Sequence, residues 1–231
     1  MIDLTKLSAK DLHSKGSQLR EQDRHDEAIQ YLSSAIVGYQ REGNYEGLID
    51  ALKDRTLTWK HYYLLTKDKV YAILGRKDAE TMLAIAKEYK LKKKLDTSYF
   101  RLGEIDMLFE DYPSAIRNYK KSIDSFGGCA AEKGDFRYHL GEAFFRNGQK
   151  QKGKEIMLQG LQEIRNGTKG IDPFLIHVWE SGAHIRLAET LKDDELEEAR
   201  KHYKEAKKIA ENDPKLVIRR RQIVELGKLF V

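Results

Sequence analysis

The sequence predicts an all-α chain built as a stack of helical hairpins, and three observations carry that prediction. Apolar and small residues recur at helical spacing, as at Ala115, Ile116, Tyr119, Ser122, Ile123 and Phe126. A short signature recurs too: a small residue, a large one four places on, and a small one three after that. It reads Ala28-Leu32-Ala35, Ala115-Tyr119-Ser122, Gly153-Met157-Gly160 and Ala199-Tyr203-Ala206. Finally, helix-stop residues punctuate the chain at Gly43-Asn44, Gly127-Gly128, Asn147-Gly148, Asn166-Gly167 and Asn212-Asp213-Pro214. A hairpin of two short helices cannot bury its apolar face alone, so hairpins of this kind stack on their neighbours.

In chain order, helices are expected over 8–22, 26–42, 45–66, 68–91, 96–109, 113–126, 129–147, 150–165, 173–191, 194–212 and 215–229. The first carries Leu12, Gly16 and Leu19, the same spacing as Leu140-Gly141-Phe144 later on, with Lys15 in the leucine slot. Between Ala28 and Ala115 lie 87 positions, room for one more hairpin. Ala72 divides that gap into 44 and 43, whereas Ala79, with Leu83 and Ala86, divides it into 51 and 36. Ala72 is preferred, because 44 and 43 match the 46 between Gly153 and Ala199; Gly75 then sits inside a helix at some cost. At Glu110-Asp111-Tyr112-Pro113 the chain breaks, and Asp111 with the proline marks a fresh start. Asp172-Pro173 reads as an N-cap followed by proline at the first helical position. The segment 165–171, RNGTKGI, is the one loop long and glycine-rich enough to act as a hinge in an otherwise single domain spanning 1–231. The last helix sets Val217, Ile223, Val224 and Phe230 against Arg219-Arg220-Arg221, the mixed face that a terminal cap needs.

The stretch 99–126 resembles a tetratricopeptide repeat (TPR), whose pattern is W-x2-L-G-x2-Y, then A-x3-F, then P. The matching residues are Tyr99, Leu102 and Gly103, then Ala115 and Tyr119. With spacings above 34 residues the resemblance is to longer-repeat variants, and it extends over nearly the whole chain. It implies a right-handed superhelical solenoid of about five hairpins plus a C-terminal capping helix. It also implies a concave face lined by first helices, and so a protein-interaction scaffold that binds a peptide or helical segment of a partner. Carried over by motif, the groove residues are His13, Ser17 and Arg20; Leu57, His61 and Leu64; Phe100, Glu104 and Met107; Tyr138, Glu142 and Phe145; and His184 with Leu191. Exposed aromatics with a polar fringe suit such a ligand. TPR domains that clamp a C-terminal carboxylate use lysine and asparagine there; Glu104 and Glu142 would instead repel it, which favours a neutral or basic segment. A regulatory TPR sensor of a signalling peptide, or a nucleic-acid-binding helical repeat, are the alternatives.

Composition bounds the rest. The 231 residues are 40% apolar and 34% charged with only three prolines, as a helical chain with solvated faces requires. A net charge of +5 is mild, and the basic runs Lys90-Leu91-Lys92-Lys93-Lys94 and Arg219-Arg220-Arg221 are the places that could meet phosphates. Interleaved glutamates at 195, 197, 198, 205 and 211 point instead to pairing on a solvated helix, so nucleic acid is not the expected partner. Cys129 is the lone cysteine, which excludes an intrachain disulfide and fits a reducing compartment. The longest apolar run, Val70 to Leu74, is far too short to span a membrane, and the opening MIDLTKLSAKD has no hydrophobic leader segment. A cytoplasmic location is expected. The seven histidines include no HExxH and no pair at i, i+4, and no phosphate-cradling glycine loop or nucleophile elbow occurs. No metal, no cofactor and no catalytic reaction are expected.

Overall fold

The structure, a computed structural model, describes residues 7–230. The first six residues, part of the stretch read as lacking a leader, lie outside the described region. Among the described residues there are eleven α-helices and no strand. They are α1 Ala9–Glu21, α2 His25–Glu42, α3 Tyr45–Thr66, α4 Lys69–Glu88, α5 Leu95–Leu108, α6 Tyr112–Ser125, α7 Ala130–Arg146, α8 Lys150–Asn166, α9 Pro173–Leu191, α10 Leu196–Asn212 and α11 Val217–Gly227. The chain divides into two compact units, Met1–Ser125 and Phe126–Val231. The 165–171 segment therefore falls inside the second unit, at the end of α8 and in the loop that leads to α9.

In the first unit each helix packs on the next from α1 to α6, and α3 also touches α1 and α5. Its core gathers Leu12 and Leu19 of α1, Tyr31 and Tyr39 of α2, Ile49 and Leu52 of α3, and Met82 of α4. In the second unit α7 to α11 pack in the same consecutive manner, with α9 also against α7 and α11. Tyr138, Met157, Ile164 and Leu187 fill one cluster there, and Ile185, Ala206, Leu216 and Ile223 fill another.

The recurring small residue has a fixed place in this arrangement. Ala28, Ala72, Ala115, Gly153 and Ala199 are each the fourth residue of α2, α4, α6, α8 and α10. The four alanines are buried to 1% exposure or less. The helix boundaries thus align Ala72, rather than Ala79, with its counterparts in the other hairpins. The closest approach is between α7 and α8, where Gly134 and Gly141 face Gly160 and Gly153. A Cβ on Gly141 would lie 2.6 Å from the Met157 amide and 2.7 Å from the Gly153 carbonyl. Only glycine lets those two backbones meet.

Helix ends follow one device repeated. After α1, α2, α4, α5 and α7 the chain passes through a left-handed residue: Asp23, Gly43, Lys90, Glu110 and Gly148. The next amide then reaches back to a carbonyl of the last turn, as Leu91 N does to Ala86 O at 2.8 Å and Asp111 N to Asp106 O at 3.0 Å. This ends α4 at Glu88 instead of running on to 91; Leu91 packs on the core, and Lys92–Lys94 form a single 3-10 turn. Asp111 accepts from the Ser114 amide at 3.2 Å, and Asp172 from Phe174 at 2.9 Å ahead of Pro173, so both starts are capped.

Candidate functional site

The residues that the motif assigns to a groove lie on first helices at i, i+4, i+7 spacing, one stripe per helix. On α1 that stripe is His13, Ser17 and Arg20, and all three converge on one carboxylate of α3, Asp54. Arg20 Nη1 sits 2.8 Å from Asp54 Oδ1, while Ser17 Oγ donates to Oδ2 at 2.5 Å and His13 Nε2 lies 3.1 Å from it. The Tyr39 hydroxyl lies 3.5 Å from the other imidazole nitrogen. Burial alone would raise the Asp54 carboxyl, but the Arg20 charge and the bonds from His13 and Ser17 outweigh it and hold it well below the usual range. Asp54 shares its stripe with Thr58 and His61, all buried, so α3 turns this stripe inward while Leu57 and Leu64 remain half-buried.

The second junction repeats the logic. Glu104 of α5, buried at 4% exposure, is held by Lys60 from α3 and by Arg101 from its own helix. Phe100 is buried against Tyr119, ring centroids 5.5 Å apart, and Met107 is half-buried. In the second unit Glu142 of α7 takes Arg146 at 2.8 Å and Arg186 of α9 at 3.2 Å, and Arg186 continues to Glu189. Burial works to raise Glu142, yet the two guanidinium groups bring it down to about 2. Tyr138 is buried with its hydroxyl over Gly182 of α9, where a Cβ would lie 2.7 Å from the oxygen; Phe145 is buried at the same α7 face.

His184 belongs to a different cluster. Its Nδ1 faces Nδ1 of His202 on α10 at 2.8 Å, and its Nε2 accepts from Arg165 Nη2 of α8 at 2.9 Å. Arginine can only donate. His184 therefore carries its proton on Nδ1 and gives it to His202. Burial first, then the charges of His202 and Arg165, push His184 down to about 3.

Of the fourteen residues that the motif assigns to the groove, His13, Ser17, Leu57, Leu64 and Met107 reach solvent in part, and Arg20, His61, Phe100, Glu104, Tyr138, Glu142, Phe145, His184 and Leu191 are buried. The carboxylates of Glu104 and Glu142 are neutralised by neighbouring cations, so the repulsion of a C-terminal carboxylate expected of them has no unpaired charge behind it. The partners Asp54, Lys60, Arg186 and His202 were not legible from motif spacing, because each lies on a neighbouring helix. For Asp54 and Thr58 a signal existed: with His61 they repeat the i, i+4, i+7 polar stripe of α1, three positions ahead of Leu57, His61 and Leu64. The terminal arginines are also engaged. Arg219 Nη2 donates to Val178 O at 3.0 Å, and Arg220 donates to Ala210 O and Asp213 O at 2.9 and 3.0 Å. Among the described residues no cluster of three or more histidine, cysteine or acidic side chains could hold a metal ion, and no helix is long and apolar enough to cross a membrane.

No family model matches the chain. No curated protein matches it in sequence. Among solved structures it is similar to BtubC (BKLC) from P. vanneervenii, with a TM-score of 0.53 and 18% identity over 92% of both chains. At that identity the likeness is one of fold, an all-helical chain of similar extent.

Proposed function

We propose that this chain is a TPR-like solenoid acting as a non-catalytic protein-interaction scaffold, which holds a peptide or helical segment of a partner against its first helices. The observation that carries the reading is the side-by-side packing of α1, α3 and α5, and of α7 and α9, each joined by a buried ion pair. Such cross-links fix the spacing of the first helices, so a ligand would meet a surface already ordered and the cost of binding would fall mainly on the ligand. In this reading the buried members of the set (Arg20, Glu104, Glu142 and Tyr138 among them) build the surface. His13, Ser17, Leu64 and Met107 make the contacts.

Selection of a displayed random peptide library on the full chain tests this. A recovered peptide is expected to bind Met107→Lys or Ser17→Tyr about tenfold more weakly than the parent, as for a side chain central to a contact. Failure to enrich any peptide sensitive to either change would overturn it.

A further inference from the structure

The α3–α4 hairpin is longer than those beside it in the first unit: its helices have 22 and 20 residues, against 13 in α1 and 14 in both α5 and α6. Its tip runs past its neighbours. Tyr62 of α3 hydrogen-bonds Asp26 in the first turn of α2, and Arg76 of α4 lies over the ring of Phe109, just beyond the end of α5. Leu65, Val70, Ile73 and Leu74 lie between those two contacts and the turn that joins α3 to α4. They are 47%, 45%, 49% and 39% exposed, four large apolar side chains within one ten-residue stretch of the chain. Val70, Ile73 and Leu74 fall at i, i+3, i+4 on the side of α4 opposite the buried Ala72, Gly75 and Ala79. Behind them Trp59, Tyr62 and Tyr71 form a stack with centroids 4.8–6.1 Å apart, pinned where the Trp59 indole donates to Asp78 at 3.1 Å.

An apolar stripe on a rigid, projecting helix marks a contact surface. Its rim decides the partner. Lys67 and Lys69 are exposed on either side of the turn, and Lys77 continues the outward face of α4 one turn on. The acidic groups nearby are engaged: Asp68 accepts from the Val70 amide at 3.0 Å, and Glu80 pairs with Lys77 at 3.1 Å. We propose that the tip of the α3–α4 hairpin docks an amphipathic helix of a partner protein whose apolar stripe is flanked by acidic residues. A helix laid against α4 would cover Val70, Ile73 and Leu74 with its own i, i+3, i+4 anchors and set carboxylates beside Lys67 and Lys69. A second copy fits less well, since a symmetric contact would bring the two sets of lysines together.

The surface is separate from the first-helix residues, so its test is independent of theirs. A synthetic amphipathic helix with leucines at i, i+3, i+4, i+7 and glutamates flanking them, labelled for anisotropy, is titrated with the full chain; a lysine-flanked twin and vesicles of anionic or neutral lipid run beside it. The acidic peptide is expected to bind, at least about tenfold tighter than its basic twin. Ile73→Ser with Leu74→Ser should abolish binding, and Lys67→Glu with Lys69→Glu should weaken it about tenfold. Met107→Lys should leave it unchanged. All of these sites are exposed or half-buried, and circular dichroism checks that the variants stay folded. Absence of binding, equal binding of both peptides, or binding to anionic vesicles alone would overturn the proposal. So would concentration-dependent self-association that the two serines remove.

Discussion

Glu142 and His184 respond to acid in opposite electrostatic states, and their windows can be told apart. Glu142 is ionised in the folded protein down to about 2, below the ordinary carboxylate value, because Arg186 and Arg146 overcome its burial. Its contribution is complete above roughly pH 4.5 and drains away as pH falls towards 2, amounting to about 3 kcal/mol at most. His184 is neutral in the folded protein down to about 3. An unfolded chain would take up that proton near pH 6.5, so stability is lost as pH falls from there towards 3. Protonation would also leave two imidazoles 2.8 Å apart with Arg165 and Lys154 near them, against Glu180, Glu198 and Glu205. Urea unfolding followed across pH is thus expected to show a first decline beginning below about 6.5 and a second below about 4.5. His184→Gln should reduce the first decline, which the buried His202 shares, and Glu142→Gln the second, which Asp54 shares. A single decline below 4.5 in both the parent and His184→Gln would mean that His184 is not held neutral.

At the scale of the element, the sequence was most readable where its signals are local. Helix number and order follow from periodicity and stop residues, and observed ends lie within about three residues of the expected ones. The misreadings are physical. Asp23, Lys90 and Glu110 adopt left-handed backbone without being glycine, so the turns they make carry no glycine flag; the end of α4 was missed for that reason. Gly134, by contrast, belongs to no recurring signature, although it meets Gly160 where two helices touch backbone to backbone. The small residue at the fourth place of the second helices gives a graded prediction. Ala115→Leu and Ala199→Leu should cost about 1–3 kcal/mol each by overpacking. Gly153→Ala, although only one carbon larger, should cost a comparable amount. Its Cβ would lie 2.5 Å from the Phe145 amide, an atom of backbone that cannot rotate away. Thermal melts of the three variants measure this, and an unchanged midpoint at Ala115 and Ala199 would mean that these alanines are not where the helices interlock.

At the scale of the molecule, motif spacing located the first-helix stripes but could not read what those stripes face. Pairings such as Arg20 with Asp54 join positions 34 apart in the chain, and Arg186 reaches back 44 to Glu142. No period within a helix carries that information, so groove candidates and internal cross-links looked alike until the helices were placed. The same placement divides the chain after Ser125, a boundary that Gly127-Gly128 marks only as a helix stop. Each unit closes its own apolar clusters, one of Leu12, Tyr31, Ile49 and Met82, the other of Tyr138, Met157, Leu187 and Ile223. A fragment with its own core folds by itself. Residues 126–231 expressed alone are therefore expected to keep helical circular dichroism and melt cooperatively. Their ionic set of Glu142, Arg146, Arg186 and Glu189 is complete within the fragment, so the Glu142 acid transition should persist in it. A fragment that is unfolded, or that lacks the transition below pH 4.5 while folded, would show that the second unit depends on the first for its core or for its charge balance.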